Sequence, residues 1–380
     1  MPVLANTAED LLHWLALTLV PGLGARRSSQ LLERFRTPQG VFRASVSELE
    51  EAGLTGSLAR SIAGGCSFDD AAKQHEQLLE HGAQLVSISD KQYPARLREI
   101  FDPPLVLFVK GRTELLQTLM FGVVGTRRPT QYGVAVAERM GADLAAAGLT
   151  IVSGMARGID TSAHKGALNM GGNTVAVFGC GVDLLYPAEN RKLYDEIAVK
   201  GLLVSEFPMG TPAYPQNFPI RNRIISGMSC GVLVVEGAQY SGSSITAKLA
   251  MDQGREVFAI PGNIVSKMSW GPNLLIKQGA KLVQDWNDVV SELPPDDRQR
   301  LSRGARTANA EQGALELDGP SGPLQQAILE HLQADSVTQI DDLLANLENY
   351  SSSETIAALF ELEFRGLVKQ LPGRNFVKVW

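Results

Sequence analysis

Between residues 119 and 283 the sequence repeats one unit: a short apolar run, a polar turn rich in glycine, then a stretch of two or more helical turns. The runs are Met120–Val124, Thr150–Val152, Thr174–Phe178, Leu202–Val204, Val232–Val235 and Val257–Ile260. They are too short for helices and mostly apolar, as in strands buried on both faces of a parallel sheet. The intervening helices are predicted at Gly133–Ala146, Thr161–Asn169, Glu189–Val199, Arg221–Met228 and Ser244–Asp252. Such alternation predicts a doubly wound α/β domain. Ligands of such a sheet bind beyond the carboxyl ends of its strands, so the turns carry the functional question.

Those turns share a chemistry. They are Gly125-Thr126-Arg127-Arg128, Ser153-Gly154-Met155-Ala156-Arg157-Gly158, Gly179-Cys180-Gly181, the stretch from Glu236 to Ser243-Ser244, and Pro261-Gly262-Asn263. Glycine lets backbone approach a ligand, and helix N-termini present N–H groups to phosphate oxygens. The most pointed segment is Phe218-Pro219-Ile220-Arg221-Asn222-Arg223. Mid-helix, arginines at i and i+2 lie about 200° apart. At a helix start both can converge on one anion, with Phe218 offering a flat face to a base. Arg127, Arg128, Arg157, Arg221 and Arg223 are therefore expected along one rim, as ligands for a polyanion.

Two enzymatic readings compete. The unit around Gly179-Cys180-Gly181 mimics a dinucleotide fold, but the third glycine is missing and Asp183 is negative where a pyrophosphate would lie. Ser153, Asp160 and His164 suggest a hydrolytic triad, but Ser153 is not in a G-x-S-x-G elbow, and helix capping explains Asp160 and His164 more simply. A nucleotide-binding or nucleotide-hydrolysing enzyme using the same turns, with Asp160, Glu206 or Glu236, stands as the alternative. No catalytic residue, metal or cofactor is assigned. The three cysteines, Cys66, Cys180 and Cys230, have no metal-ligand spacing and suit a reducing compartment. Leu11–Val20 follows Glu9-Asp10 rather than a basic segment and is too short to span a bilayer, so the expectation is a cytoplasmic protein without a membrane partner.

The flanks differ from the centre. Residues 1–65 read as a small helical domain of SAM or helix-hairpin-helix type, with Pro21-Gly22-Leu23-Gly24 before Ala25–Phe35, Arg26 and Arg27 near a phosphate-holding turn, and a weaker second copy at Gly53-Leu54-Thr55. Residues 66–290 hold the α/β domain, including a bridging stretch with strands at Gln84–Ile88 and Leu105–Val109. Residues 291–320 read as a linker. Residues 321–380 give three helices and a hairpin around Pro372-Gly373, a winged helix. The net charge is −6, and residues 291–380 carry 8 basic against 14 acidic side chains, so the excess acid sits there. The third winged-helix helix has Glu354, Glu361 and Glu363 and no basic residue before Arg365, which points away from duplex reading and toward protein contact.

The order of motifs resembles the DNA-processing protein A (DprA/Smf) family. Matching residues include Val124-Gly125-Thr126-Arg127, Tyr132-Gly133, Ser153-Gly154-Met155-Ala156-Arg157-Gly158-Ile159-Asp160, Gly181-Val182-Asp183, Tyr186-Pro187, Phe218-Pro219 with Arg221-Asn222-Arg223, Ser241-Gly242-Ser243 and Gly271-Pro272-Asn273. The resemblance implies an extended Rossmann-like fold, dimerisation, binding of single-stranded DNA in natural transformation, and loading of the RecA recombinase. It implies DNA contact from Arg127, with Arg221, Arg223 and Phe218 lining the same groove; together with the turn chemistry the expected DNA-binding set is Gly125, Thr126, Arg127, Arg128, Ser153, Gly154, Arg157, Gly158, Phe218, Arg221, Asn222, Arg223 and Ser243. Some relatives place a lysine just before the phenylalanine. Here Pro215 and Gln216 stand there, and Arg128, Arg191 or Lys192 are the cations left to compensate.

Overall fold

The computed structural model describes residues 8–239, 241–301, 322–332, 338–347, 350–364, 368–371, 373 and 375–378. The chain divides into two compact units, Met1–Ala305 and Arg306–Trp380.

The first unit opens with helices α1 (Ala8–Leu19), α2 (Ala25–Phe35), α3 (Pro38–Arg43), α4 (Val46–Glu51), α5 (Gly56–Ala63) and α6 (Phe68–Glu80). Then come β1 (Gln84–Ser87), α7 (Ala95–Arg98), β2 (Val106–Gly111), β3 (Met120–Val124), α8 (Gln131–Ala146), β4 (Thr150–Ser153), α9 (Ile159–Asn169) and β5 (Thr174–Val177). The unit continues with α10 (Arg191–Lys200), β6 (Leu202–Ser205), α11 (Asn217–Met228), β7 (Gly231–Val234), α12 (Gly242–Asp252), β8 (Glu256–Ala259), α13 (Trp270–Lys277), β9 (Lys281–Leu282) and α14 (Trp286–Glu292).

One sheet holds all nine strands in the order β1-β2-β6-β5-β4-β3-β7-β8-β9. From β4 to β8 the strands are buried along almost their whole length. Successive side chains point to opposite faces. Val124, Val152, Val177 and Val234 meet α11 and α12 through Ile224, Ile225 and Ala247 on one face. Phe121, Val123, Ile151 and Leu233 meet α8 and α9 through Met140, Leu144 and Ala163 on the other. Each large apolar side chain so buried contributes about 1.5–3 kcal/mol. The chain winds outward from β3 through β4, β5 and β6, then returns to place β7 on the other side of β3. The carboxyl ends of β3 and β7 therefore flank the point where strand order reverses, which is where an open α/β sheet forms its crevice.

The doubly wound sheet and the N-terminal helices expected from the sequence are present. The stretch read as a bridge is part of the sheet: β1 pairs antiparallel with β2, and β2 antiparallel with β6. Apolar content marked these strands, but pairing partners are a long-range property. Leu15, Leu31, Leu49 and Ile62 of the N-terminal helices share an apolar cluster with Phe108, Phe178 and Leu203 of the sheet. Both glycine turns are present, with Gly22 and Gly53 at φ 81 and 90. Residues 291–301, expected as part of the linker, are instead folded with the first unit. Leu293 and Leu301 are buried in the core, 295–301 is helical, and Asp297 pairs with Arg96 at 2.6 Å. Residues 302–320 lie outside the described residues.

The second unit contains α15 (Pro323–His331), β10 (Thr338–Gln339), α16 (Ile340–Asn346), α17 (Ser352–Phe364), β11 (Val368–Leu371) and β12 (Asn375–Lys378). Its strands form a sheet in the order β10-β12-β11 over a core of Ile328, Leu343, Leu359, Leu362 and Phe376, a winged helix. Glu354 accepts hydrogen bonds from the Ser351 backbone N–H and hydroxyl at the start of α17, which holds its carboxyl below the usual range. Glu363 accepts from the N–H of Gln370 in the wing at 3.1 Å. These two acids of the third helix thus serve the fold. Arg365 and Pro372 lie outside the described residues.

Candidate nucleic-acid interface

A groove of about 610 Å³ opens at the reversal point, lined by the turn after β3, the first two turns of α11 and the start of α12. Gly125, Thr126, Arg127, Arg128, Phe218, Arg221, Asn222 and Ser243 of the expected set line it. Arg127 and Arg128 are exposed, and among the described residues neither has an acidic partner. The Arg127 guanidinium lies 5.2 Å from the centre of the Phe218 ring. Across the groove, α12 begins at Gly242 after Ser241, whose hydroxyl faces the Ser243 and Ser244 hydroxyls at 2.6 and 3.3 Å and caps no backbone N–H. The Ser244 N–H donates to the Ser241 carbonyl at 3.0 Å, while the Gly242 and Ser243 N–H groups have no partner among the described residues and are donors of the kind phosphate oxygens accept.

Arg221 and Arg223 do not converge. α11 starts at Asn217, four residues earlier than expected, so both arginines sit beyond its first turn. Pro219 fits near the helix start because the N–H it lacks has no helical partner there. Arg221 points toward the groove but is 3% exposed. Its Nη1 donates to the Gly154 carbonyl at 2.7 Å and to the Val177 carbonyl. Arg221 thus ties the carboxyl ends of β4 and β5 from beneath the groove floor. A Cβ on Gly154 would come within 2.5 Å of this guanidinium, so glycine there is a packing requirement. Burial lowers the Arg221 pKa to about 10; Asp160 opposes that shift and Arg127 adds to it. Arg223 turns the other way, to Glu206 at 2.5 Å and Asp102 at 3.0 Å, and does not line the groove.

The remaining expected residues divide likewise. Ser153 is fully buried and donates to the Val123 carbonyl at 2.6 Å. Gly154 and Arg157 line a small depression next to the main groove. Arg157 is exposed and pairs with Glu189 at 2.6 Å. Gly158 has φ 81, and a Cβ there would lie 2.5 Å from the Thr126 carbonyl oxygen, so it sets how closely the Arg127 turn packs on the start of α9. Sequence reasoning missed Tyr186, Pro215, Ile245 and Met268, which also line the groove. Tyr186 stood in a matched motif, but nothing local shows that its loop folds over Phe218.

The acids of the enzymatic alternative are engaged. Asp160 accepts from the Gly154 and Ala156 N–H groups, at 3.1 and 3.3 Å, and burial raises its pKa while Arg221 opposes that. Glu236 accepts from the Thr130 N–H and hydroxyl at 2.9 and 2.6 Å. Glu206 holds Arg223, and burial raises its pKa. The triad geometry is not formed. His164 Nδ1 lies 2.6 Å from the Thr174 hydroxyl, which itself donates to the Ile151 carbonyl, so the ring donates through Nδ1. Burial pushes the His164 pKa down to about 3. Among the described residues no cluster of three potential metal ligands occurs, and no helix is long and apolar enough to cross a membrane.

Comparison with known proteins agrees with this architecture. Residues 84–294 match the family described as DNA recombination-mediator protein A, and residues 309–374 match the DprA winged helix domain. Protein Smf of Synechocystis is 33% identical over 404 residues, covering 98% of this chain and 99% of that one. The crystal structure of DNA processing protein A from Streptococcus pneumoniae superposes with a TM-score of 0.68 at 35% identity, over 74% of this chain and 98% of that one. DNA processing protein A from Helicobacter pylori, whose structure is described for its single-stranded DNA binding mode, gives 0.51 at 31% identity, over 56% and 98%. By profile, by whole-length similarity and by fold, the chain belongs to the DNA recombination-mediator protein A (DprA/Smf) family.

Proposed function

We propose that this chain is a non-catalytic single-stranded-DNA-binding mediator that protects incoming DNA and loads RecA onto it in natural transformation, acting as a cytoplasmic homodimer. One observation carries the DNA-binding reading: among the described residues Arg127 and Arg128 stand without acidic partners at the mouth of a groove that also offers the Phe218 ring and the uncapped start of α12. Cations take phosphates and a ring takes bases of any sequence, which suits a sequence-tolerant single strand. In this reading Arg127 and Arg128 contact phosphates and Asn222 and Ser243 line the path. Arg221 strengthens the potential from below, and Arg223 contributes to the fold rather than the grip. The single-stranded DNA binding mode of the Helicobacter pylori relative and membership in a family of DNA recombination mediators support the same direction.

Fluorescence anisotropy with labelled oligo-dT, beside calorimetry with mononucleotides, tests it. The proposal expects tight, salt-dependent oligo-dT binding, weakened in Arg127→Ala, with no nucleotide turnover. Saturable mononucleotide binding with turnover, and no oligo-dT binding, would favour the enzymatic alternative. Loading is tested by whether the protein accelerates RecA filament growth on a single strand already coated by another binding protein, and dimerisation by sedimentation.

A further inference from the structure

The Tyr186 ring lies 5.4 Å from that of Phe218, tilted by 37°, and is 40% exposed. Among the described residues its hydroxyl has no hydrogen-bond partner, so the ring itself is what this position presents. Two depressions meet at the pair. The main groove lies on one side, and the small depression, with Arg157, Gly179 and Pro187, on the other; both rings and Arg127 line each. Tyr186 and Phe218 thus form a ridge between two parts of one path, with the Arg127 guanidinium over the Phe218 ring. On the far side, among the described residues, Arg157 is held only by Glu189, both side chains being 60% exposed. Such a pair contributes little in water, and a phosphate can displace its carboxylate.

We propose that Tyr186 is a base-contacting residue. Resting on the reading of the groove as a single-strand site, the inference is that the strand turns over the Tyr186–Phe218 ridge, stacks a base on Tyr186 and hands the next phosphate to Arg157 in place of Glu189. Sequence-tolerant stacking of this kind accounts for about tenfold in affinity per base.

The test uses the full chain and oligo-dT. Anisotropy compares wild type, Tyr186→Leu, Tyr186→Phe, Glu189→Gln and Arg127→Ala, and oligonucleotides carrying 5-iodouracil are photocrosslinked to wild type and mapped by mass spectrometry. The expected results are about tenfold weaker binding for Tyr186→Leu, recovery in Tyr186→Phe, tighter binding for Glu189→Gln, and a crosslink at Tyr186. Tyr186→Leu binding like wild type while Arg127→Ala is weakened would overturn the inference and leave the groove standing. A crosslink map without Tyr186 would overturn it without any substitution, whatever the variants do to folding. Glu189→Gln binding no tighter would overturn the hand-over to Arg157. Wild type failing to bind oligo-dT would overturn the underlying reading instead.

Discussion

Arg223 closes on Glu206 at 2.5 Å, on the side of α11 turned away from the groove that Arg221 faces two residues earlier. Both arginines are nearly buried, at 3% and 7% exposure, yet each serves a different part of the fold. One ties two strand ends under the groove; the other compensates a buried carboxylate.

Arg127→Ala and Arg223→Ala should therefore fail in different ways. Removing Arg127 should weaken oligo-dT binding across sequences and flatten the dependence of log affinity on log salt by about 0.7, the value for one phosphate contact on a single strand. Removing Arg223 leaves Glu206 buried and unpaired, a loss of about 3–5 kcal/mol in stability. Among molecules that remain folded, the salt slope should keep its wild-type value. Salt titrations and urea unfolding of both variants check this, and a flattened slope in Arg223→Ala would contradict the assignment.

Gly158→Ala should damage the groove without touching a charge. At φ 81 the added Cβ is strained and meets the Thr126 carbonyl at 2.5 Å and Pro129 at 2.7 Å. The clash should cost about 1–3 kcal/mol and shift the turn that carries Arg127. Chemical denaturation and oligo-dT affinity should fall together. Retained affinity at reduced stability would show that the turn moves as a rigid piece.

His164 predicts a specific acid sensitivity. Its folded pKa of about 3 lies below the ordinary value of 6.5, so between those values the unfolded chain binds a proton that the folded chain does not. Stability from this group is complete above about pH 6.5 and falls as pH drops, by at most about 1.4 kcal/mol per pH unit. Burial raises the Asp160 and Glu206 pKa values, an opposite slope through the same acidic range. The informative quantity is thus the difference between wild type and His164→Gln. Melting curves from pH 7 to pH 5 should show wild type losing stability more steeply than the variant.

A chain ending at residue 305 should retain oligo-dT binding, because every groove-lining residue belongs to the first unit. Anisotropy of this truncated form checks the point. A large loss would assign part of the single-strand grip to the winged helix, against the acidic character of α17.

Much of this architecture was legible from local pattern. Runs such as Val175-Ala176-Val177 are short and apolar at every position, as in a strand covered on both faces, and the glycine turns after β3 and β4 marked the sheet edge where the groove lies. The destination of each side chain was less legible. Phe218–Arg223 looked like one grip because a helix start at Arg221 would have let both arginines converge. Starting α11 at Asn217 moves them past the first turn, and the 100° advance per residue then sends them to opposite sides.

The sequence by itself determined the strand–helix alternation, the flanking helical modules and the family, since these follow from periodicity, turn chemistry and motif order along the chain. Only the tertiary structure decided that Arg127 lies over the Phe218 ring without an acidic partner among the described residues while Arg221 is tied down and Arg223 is paired, and that Tyr186 meets Phe218. The physical reason is that the availability of a charge or a ring depends on its neighbours in space. Glu206, Asp102, Gly154 and Tyr186 reach these residues from strands and loops that the chain visits far from α11.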